Sequence, residues 1–274
     1  MPMPFHFDHA LAARLEAVQA AQLTGRVEAV AARLPAMGAA SLQVAGGVAV
    51  FAAPHISVSH AAGLGMAGAV TAADVDAILA FYRSRDTEAR VLASPYAHPS
   101  LFEQLGDRGF RLAGLDTVLV RPLDPAEPFA EPPAGVTVVA ARPDDAAAWV
   151  RASTSGFASS TEPASPELAA VFEATFAWPD LRYFFARVDG AVAGTGALFV
   201  HGRTALLCGT SSLVAQRGRG AQAALIRARL AAARDAGADL AFSSAEPGGP
   251  SHRNLERAGF FPVGSEALLV KRLV

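Results

Sequence analysis

Cysteine is almost absent: Cys208 is the only one in 274 residues. No intrachain disulfide can form, so the fold depends on its core, and the count suits a reducing compartment. Lysine is as scarce. Lys271 stands alone, and arginine supplies the rest of the positive charge. Lys and Arg total 23 against 25 Asp and Glu, a formal charge of −2. That balance gives no general basic surface, and a nucleic-acid partner is not expected. No stretch of about 20 apolar residues lacks charges or breakers, so no membrane span is expected either. The start, MPMPFHFDHALAARLE, lacks the basic segment followed by an apolar run that a signal peptide needs. Together these absences predict a cytoplasmic protein. The seven histidines show no spacing of the HExxH kind, so no metal is expected.

What is present is apolar. Hydrophobic residues make up 52% and charged residues 18%, enough for a sizeable core and too much for a disordered chain. The length suits one large domain or two of roughly 100–150 residues. The segment DPAEPFAEPPAG, residues 124–135, holds four prolines ahead of a glycine. Proline fixes φ and lacks a donor, so this stretch reads as a linker. It divides the chain into residues 1–123 and 136–274.

Periodicity assigns the elements. Residues 8–34 read as helix, broken or bent near Gly25. Residues 41–51 read as a strand pair, or as one strand bulged at Gly46-Gly47, and 55–60 as a short strand. Thr71 caps a helix whose buried stripe is Val75, Ile78, Leu79 and Tyr82, with Asp74 three residues on. Strand 89–93, helix 99–108 and strand 111–121 close the first half. The second half starts with strand 136–140, helix 144–152 and a polar loop, STSGFASSTEPASP. Helix 166–176 follows, then a hairpin turning at Asp189-Gly190. Strand 203–214, helix Gln222–Asp235, strand 239–244, helix 251–258 and a strand over 261–273 complete the chain.

The two halves echo each other at a spacing of 150 residues. Ser94 lands on Ser244, Leu105 on Leu255, Gly109-Phe110 on Gly259-Phe260, and Gly114 on Gly264. Leu119-Val120 lands on Leu269-Val270 and Leu123 on Leu273, eight identities in a window of 30 residues without a gap. A fixed-period match is evidence for two copies of one unit. The fold class expected is α/β: two tandem domains, each a mixed, mostly antiparallel sheet flanked by helices.

The segment with most chemistry is Arg217-Gly218-Arg219-Gly220-Ala221-Gln222, between a strand and a long helix. Glycines at 218 and 220 strip side chains from the approach to the helix start. The N–H groups of residues 218–222 have few intrahelical acceptors, and the helix end is positive. A diphosphate would receive several N–H bonds there, with Arg217 or Arg219 adding a charge-assisted contact. The loop is not a Walker A sequence, having no Gly-Lys-Ser/Thr, and it does not follow the first strand of a dinucleotide unit. A fragment for RNA binding and an exposed basic turn without ligand are the other readings. The counterpart in the first half, Met66 to Thr71 (MAGAVT), keeps glycine but has no arginine.

With its preceding run Ser212-Leu213-Val214-Ala215-Gln216, the loop resembles the signature of the GCN5-related N-acetyltransferase family, Arg/Gln-x-x-Gly-x-Gly/Ala. It departs at the sixth position, where Gln222 replaces a small residue. The likeness covers about residues 136–274, and the first half resembles a degenerate copy. It implies that acetyl-CoA is the cofactor. Its diphosphate would lie on Gly218, Arg219, Gly220, Ala221 and Gln222, its pantetheine arm on the backbone of Leu213 and Val214, and its adenosine end near Arg217 and Gly218. The acceptor implied is a primary amine of a small molecule or of a protein. The family often carries asparagine where this chain has Gly248, and a tyrosine acid where it has Leu255. Ser251, His252 and Asn254 lie nearby in sequence. Glu246 and His252 are the candidate bases, directly or through water. Asn254 is a candidate cofactor contact, and Ser251 a helix cap. A strand N–H is the candidate oxyanion donor. Cys208 reads as buried filler. Trp178 and Tyr183 line either an acceptor pocket or the core. The missing tyrosine keeps a second class open, an acyl-CoA-binding sensor or scaffold without turnover. A monomer or a homodimer would satisfy the duplicated architecture.

Overall fold

The computed structural model describes residues 7–157 and 165–273. In chain order its elements are α1 (His9–Arg33), β1 (Ala40–Val44), β2 (Gly47–Phe51), β3 (Ala61–Ala62), α2 (Ala72–Arg83), β4 (Ala89–Ala93), α3 (Pro99–Asp107) and β5 (Arg111–Pro122). Then come β6 (Val136–Ala140), α4 (Ala146–Phe157), α5 (Pro166–Thr175), β7 (Leu181–Val188), β8 (Ala191–His201), β9 (Thr204–Ser212), α6 (Ala221–Asp235), β10 (Leu240–Ala245), α7 (Pro250–Arg257) and β11 (Phe261–Lys271). The fold is mixed α/β. The chain forms two compact units. Unit 1 is Met1–Val118 with Ser244–Pro247 and Val263–Val274; unit 2 is Leu119–Ser243 with Gly248–Pro262.

In unit 1 the strands run in the order β1, β2, β3, β4, β11, β5. The C-terminal strand therefore completes this unit's sheet. It pairs antiparallel with β4, from Ala267 opposite Ala93 to Lys271 opposite Ala89. β1 and β2 form a hairpin, Val44 opposite Gly47. Its two-residue turn puts Ala45 and Gly46 at φ 51° and 77°, the geometry that suits the twist of paired strands. α1 starts at Asp8, whose carboxylate accepts the Leu11 N–H at 2.9 Å, and continues through Gly25 without a break. Its face of Leu15, Val18, Leu23, Val27 and Val30 is buried, and that burial outweighs the cost of about 1 kcal/mol for one glycine. The Tyr82 hydroxyl donates to the Val50 carbonyl at 3.2 Å and locks α2 over β2.

Unit 2 orders its strands β10, β9, β8, β7, β6. β9 and β10 are parallel; the other pairs are antiparallel. The hairpin of β7 and β8 turns at Asp189 and Gly190, both at positive φ. α4 carries Trp149, 1% exposed, whose indole N–H donates to the Phe184 carbonyl at 3.1 Å. The helix runs to Phe157, so Ser153 to Gly156 are helical, not part of the expected loop. Gly156 sits where a Cβ would lie 2.6 Å from the Ser211 hydroxyl, so the small residues of this turn are what let α4 approach β9. The rest of that loop, 158–164, lies outside the described residues.

The 150-residue echo recurs element by element, with α2, β4, α3 and β5 matching α6, β10, α7 and β11. Leu105 and Leu255 are both buried, and each carbonyl receives the N–H of the next phenylalanine, Phe110 or Phe260, at 3.0 and 3.1 Å. The intervening Gly109 and Gly259 take φ of 73° and 84°, as a helix C-terminus of this kind requires. The copies differ at the strand entering the glycine loop. β3 has two residues where β9 has nine. The strand expected over 55–60 does not form. The Ser59 hydroxyl instead accepts the Ala52 N–H at 3.1 Å and donates to the Ala53 carbonyl at 2.8 Å, folding the segment into turns. A serine that satisfies local backbone competes with a ladder.

Unit 1 also buries acid. Glu16 of α1 accepts the Gly63 N–H at 3.0 Å. Glu266 of β11 accepts from Gln19 at 3.2 Å and from the Ser244 hydroxyl. Burial, and then the neighbouring Glu266, push the Glu16 carboxyl up to about 8; burial raises Glu266 as well. Burial pushes the His60 ring down to about 4. The signs oppose. Glu16 favours the folded state while protonated, so its contribution is complete below pH 4.5 and lost as pH rises toward 8. His60 contributes above pH 6.5 and is lost as pH falls through 4. Only between pH 6.5 and 8 does the Glu16 loss run uncompensated. Urea unfolding should show wild type losing about 2 kcal/mol across that interval, and the Glu16→Gln variant losing far less.

Candidate functional site

The site in unit 2 begins where two parallel strands part. β10 pairs with β9 from Leu240 opposite Thr204 to Phe242 opposite Leu206. Beyond that point β9 runs on to Ser212 without ladder pairing to β10. The parting is fixed on both strands: the Ser243 hydroxyl donates to the Leu207 carbonyl at 2.8 Å. On its other side β9 carries a bulge. Ala197 of β8 faces Cys208, and Thr195 faces Ser211, so β9 holds one more residue over this span. Gly209 takes φ 58° within it, a conformation that costs a side-chain-bearing residue.

Arg229 of α6 holds the bulge from beneath. It is 1% exposed. Its guanidinium donates to the carbonyls of Ala197 at 3.1 Å and Cys208 at 3.2 Å, the two residues paired across β8 and β9, and to Leu225 at 3.1 Å. Burial pushes its pKa down to about 10, still charged at neutral pH. Gly196 makes the room: a Cβ there would sit 2.9 Å from the guanidinium carbon. The sequence carried the signal in position 229, four residues after Leu225 and four before Ala233 on the same buried stripe. Reading that stripe as apolar alone misses it. Thr195 and Ser211, buried and linked hydroxyl to hydroxyl at 2.8 Å, were missed in the same way.

The chain then turns into α6. The Leu213 N–H donates to the Ala193 carbonyl at 3.0 Å, so Leu213 still belongs to the edge of β8. Val214 to Gln216 form one 3-10 turn, and Val214 is 62% exposed. The first intrahelical bond of α6 runs from the Ala224 N–H to the Gly220 carbonyl at 3.0 Å. Among the described residues, none of the backbone N–H groups from Gly218 to Ala223 has an acceptor. Gly218 and Gly220 stand at φ 79° and 83°. No atom lies within 4 Å of a Cβ built on Gly218, while one on Gly220 would meet Pro133 at 3.2 Å. Gly220 is the N-cap and offers no side chain to the helix. Arg219 binds the Asp189 carboxylate and, at 3.0 Å, Gln216. Arg217 makes one long bond, 3.4 Å, to the Ser212 carbonyl.

The degenerate loop of unit 1 contrasts with this. At the start of α2, Thr71 accepts the Asp74 N–H at 3.2 Å and Asp74 accepts the Thr71 N–H at 2.8 Å. The Val70 N–H donates to Ser100 at 2.7 Å. That helix start is capped by side chains from within; the start of α6 is not.

α7 closes the unit 2 site. Gln222 does not point outward. Its amide donates to the Ser251 hydroxyl at 3.2 Å, and its oxygen accepts from the Asn254 amide at 2.6 Å. The Asn254 oxygen in turn accepts from Arg257 at 3.1 Å. Both ends of Asn254 are therefore engaged within the protein. The cap of α7 is Gly249, with Ser251 one residue inside. The His252 ring accepts weakly from the Gly248 N–H at 3.4 Å and lies 3.5 Å from the Glu256 carboxylate. Glu246 belongs to unit 1, exposed, where its charge and burial hold the Asp116 carboxyl above its usual range, burial contributing more. Leu255 is 3% exposed and packs as core. Tyr183 is buried, stacked on Phe176 at 4.3 Å, with its hydroxyl 2.9 Å from Thr175. Trp178 packs on Phe199 at 5.2 Å. Tyr183 is core, as is Trp149, while Trp178 is only half-buried.

Residues 149–260, which carry the parting strands, the bulge and the uncapped helix start, match the Acetyltransferase (GNAT) family. No curated protein sequence matches the chain. Solved structures resemble it in fold. A GCN5-related N-acetyltransferase from Kribbella flavida superposes with TM-score 0.62 at 19% identity, covering 90% of this chain and 96% of its own. One from Sphaerobacter thermophilus gives 0.53 at 19%, over 68% of this chain and 59% of its own. A tandem GNAT protein of the clavulanic acid biosynthesis pathway gives 0.53 at 18%, over 70% and 66%. The duplicated GNAT architecture expected from the 150-residue echo thus has a structural parallel.

In unit 2, the Arg229 clamp is the testable element. Arg229→Leu strands two strand carbonyls in a dry core and should cost about 2–4 kcal/mol in urea unfolding. An unchanged midpoint would show that the bulge holds without it.

Proposed function

We propose that the protein is an acetyl-CoA-dependent N-acetyltransferase acting on a primary amine of a small molecule or a protein. The observation that carries this reading is the run of six N–H groups, Gly218 to Ala223, that the protein leaves without acceptors. Such a run at the positive end of a 15-residue helix fits a diphosphate. We assign catalysis to residues 136–274, with 124–135 as linker and 1–123 as the degenerate copy. The start of α2, capped by the Thr71 and Asp74 side chains, supports that division, since they take N–H groups that a ligand would use.

When bound, acetyl-CoA supplies a thioester carbonyl and a thiol leaving group. The chain supplies position and proton traffic. Gly218, Arg219, Gly220, Ala221 and Gln222 hold the diphosphate by backbone, and the exposed Arg217 adds a cation at the head of the loop. The backbone of β9 beyond Leu206 offers an unpaired edge for an extended arm, while Leu213 and Val214 mark its end. Asn254, the candidate cofactor contact, also fixes Gln222 through its amide. Glu246 or His252 takes the amine proton, directly or through water. Leu255 has no proton to give the departing sulfur, whose ordinary pKa of about 8.5 lets it leave as thiolate.

The same leucine favours a second reading, a sensor that binds acyl-CoA without turnover. Two measurements separate the readings. Acetyl-CoA at 100 times its Kd should stabilise the protein by about 2.7 kcal/mol, raising the thermal midpoint, and Gly220→Trp should abolish that rise. Thiol release across a panel of amines should then exceed the amine-free rate. Protection without thiol release identifies the sensor, and absence of protection removes both readings.

A further inference from the structure

Unit 1 contains a cavity of about 760 Å³. Its charged lining is Arg90, Arg108, Arg111, Lys271 and Arg272 against a single carboxylate, Glu88. The chain as a whole carries a formal charge of −2, so five cations facing one cavity are a local concentration. The only lysine in the sequence is among them.

The fold brings these residues together from distant parts of the sequence. Arg90 stands on β4 opposite Val270 of β11. Arg108 caps the end of α3, and Arg111 opens β5. Lys271 ends β11 and donates to the Arg108 carbonyl, which places an ammonium at the negative end of that helix. Two of the cations have acidic partners. Arg90 pairs with Glu88 at 2.7 Å, and Arg108 pairs with Asp76 at 2.7 Å while also donating to Gln104 at 2.8 Å. Arg111 and Arg272 have no hydrogen-bond or ion-pair partner among the described residues, and both are exposed. Three charges, those of Arg111, Lys271 and Arg272, therefore face the cavity without a carboxylate to balance them. Among the described residues, none supplies an anion to these three. Leu112, 60% exposed, gives it an apolar wall.

We propose that this cavity binds a phosphorylated small molecule of nucleotide size. The volume falls in the range of ligand pockets, roughly 300–1,000 Å³. Guanidinium forks match phosphate oxygens in pairs. Three unbalanced cations call for two or more negative charges, which a phosphate ester carries and a simple carboxylate does not. The site shares no residue with the loop at Gly218 to Gln222, so it stands whether or not that loop binds acetyl-CoA.

Calorimetric titration with pyrophosphate and with ATP, at 150 mM NaCl, tests this on the full chain. Arg111→Ala/Arg272→Ala should weaken binding of one equivalent of probe at least tenfold, both in the parent and in a Gly220→Trp background that removes the unit 2 loop. Both arginines are exposed, so the thermal midpoint of the double variant should match wild type. Should the Gly220→Trp protein fail to fold, the lost equivalent in the parent background is decisive alone. Unchanged affinity and stoichiometry in the double variant would overturn the proposal. So would an equal loss in Arg33→Ala/Arg83→Ala, two exposed arginines of unit 1 away from the cavity, since that would mean bulk charge alone.

Discussion

A helix start has several N–H groups that the helix itself cannot use. They are satisfied by the protein's own side chains or by something that comes from outside. This chain has made both choices on two copies of one unit. At α2, Thr71, Asp74 and Ser100 meet part of the demand. At α6, Gly220 brings no side chain, and the demand stays open. The rest of unit 2 serves that opening: a glycine pair that clears the approach, a turn of 3-10 helix that leads into it, and a strand that arrives from a parted sheet.

Parting two strands has its own cost, because backbone groups in a core must find partners. The protein meets it with side chains. Ser243 takes the Leu207 carbonyl, and Arg229 takes those of Ala197 and Cys208. A charged donor in a dry place is an expensive way to hold two carbonyls, and its charge stays on at neutral pH. It also does what an apolar residue at 229 cannot, since no hydrocarbon satisfies a carbonyl. Gly196 is the complement of that choice, a residue removed so that a guanidinium fits.

Much of this architecture was legible beforehand because local chemistry and tertiary demand agree. The Asp189-Gly190 turn, the Thr71 cap and the paired Gly109 and Gly259 ends each have a local cause, and each stands where residue type put it. The 150-residue repeat disclosed the duplication because the element order survives where the loop chemistry does not. The failures are equally local. Strand-like composition at 55–60 yields to Ser59, whose hydroxyl answers the backbone within six or seven residues. Gly25 sits in a helix whose buried face decides the matter, and the small polar residues after Ala152 continue α4 because closeness to β9 rewards small side chains. In the candidate site, the loop was readable from glycine spacing. The Gln222–Asn254–Ser251 chain was not, since it joins residues about 30 positions apart through side-chain ends. Arg229 was hidden by the assumption that a stripe is apolar throughout.

β11 carries a consequence for the order in which this molecule is made. Unit 1 holds nearly everything it needs by Val118, yet the strand beside β4 is β11, whose Ala267 to Lys271 pair with it. The acid Glu266, buried beside Glu16, arrives with it. During synthesis the front half must therefore wait, with one side of β4 unpaired, until the whole of unit 2 has been translated. A protein whose earlier-made unit is finished by its last-made strand cannot fold its halves one after the other. It couples them through the calendar of translation as firmly as through any contact.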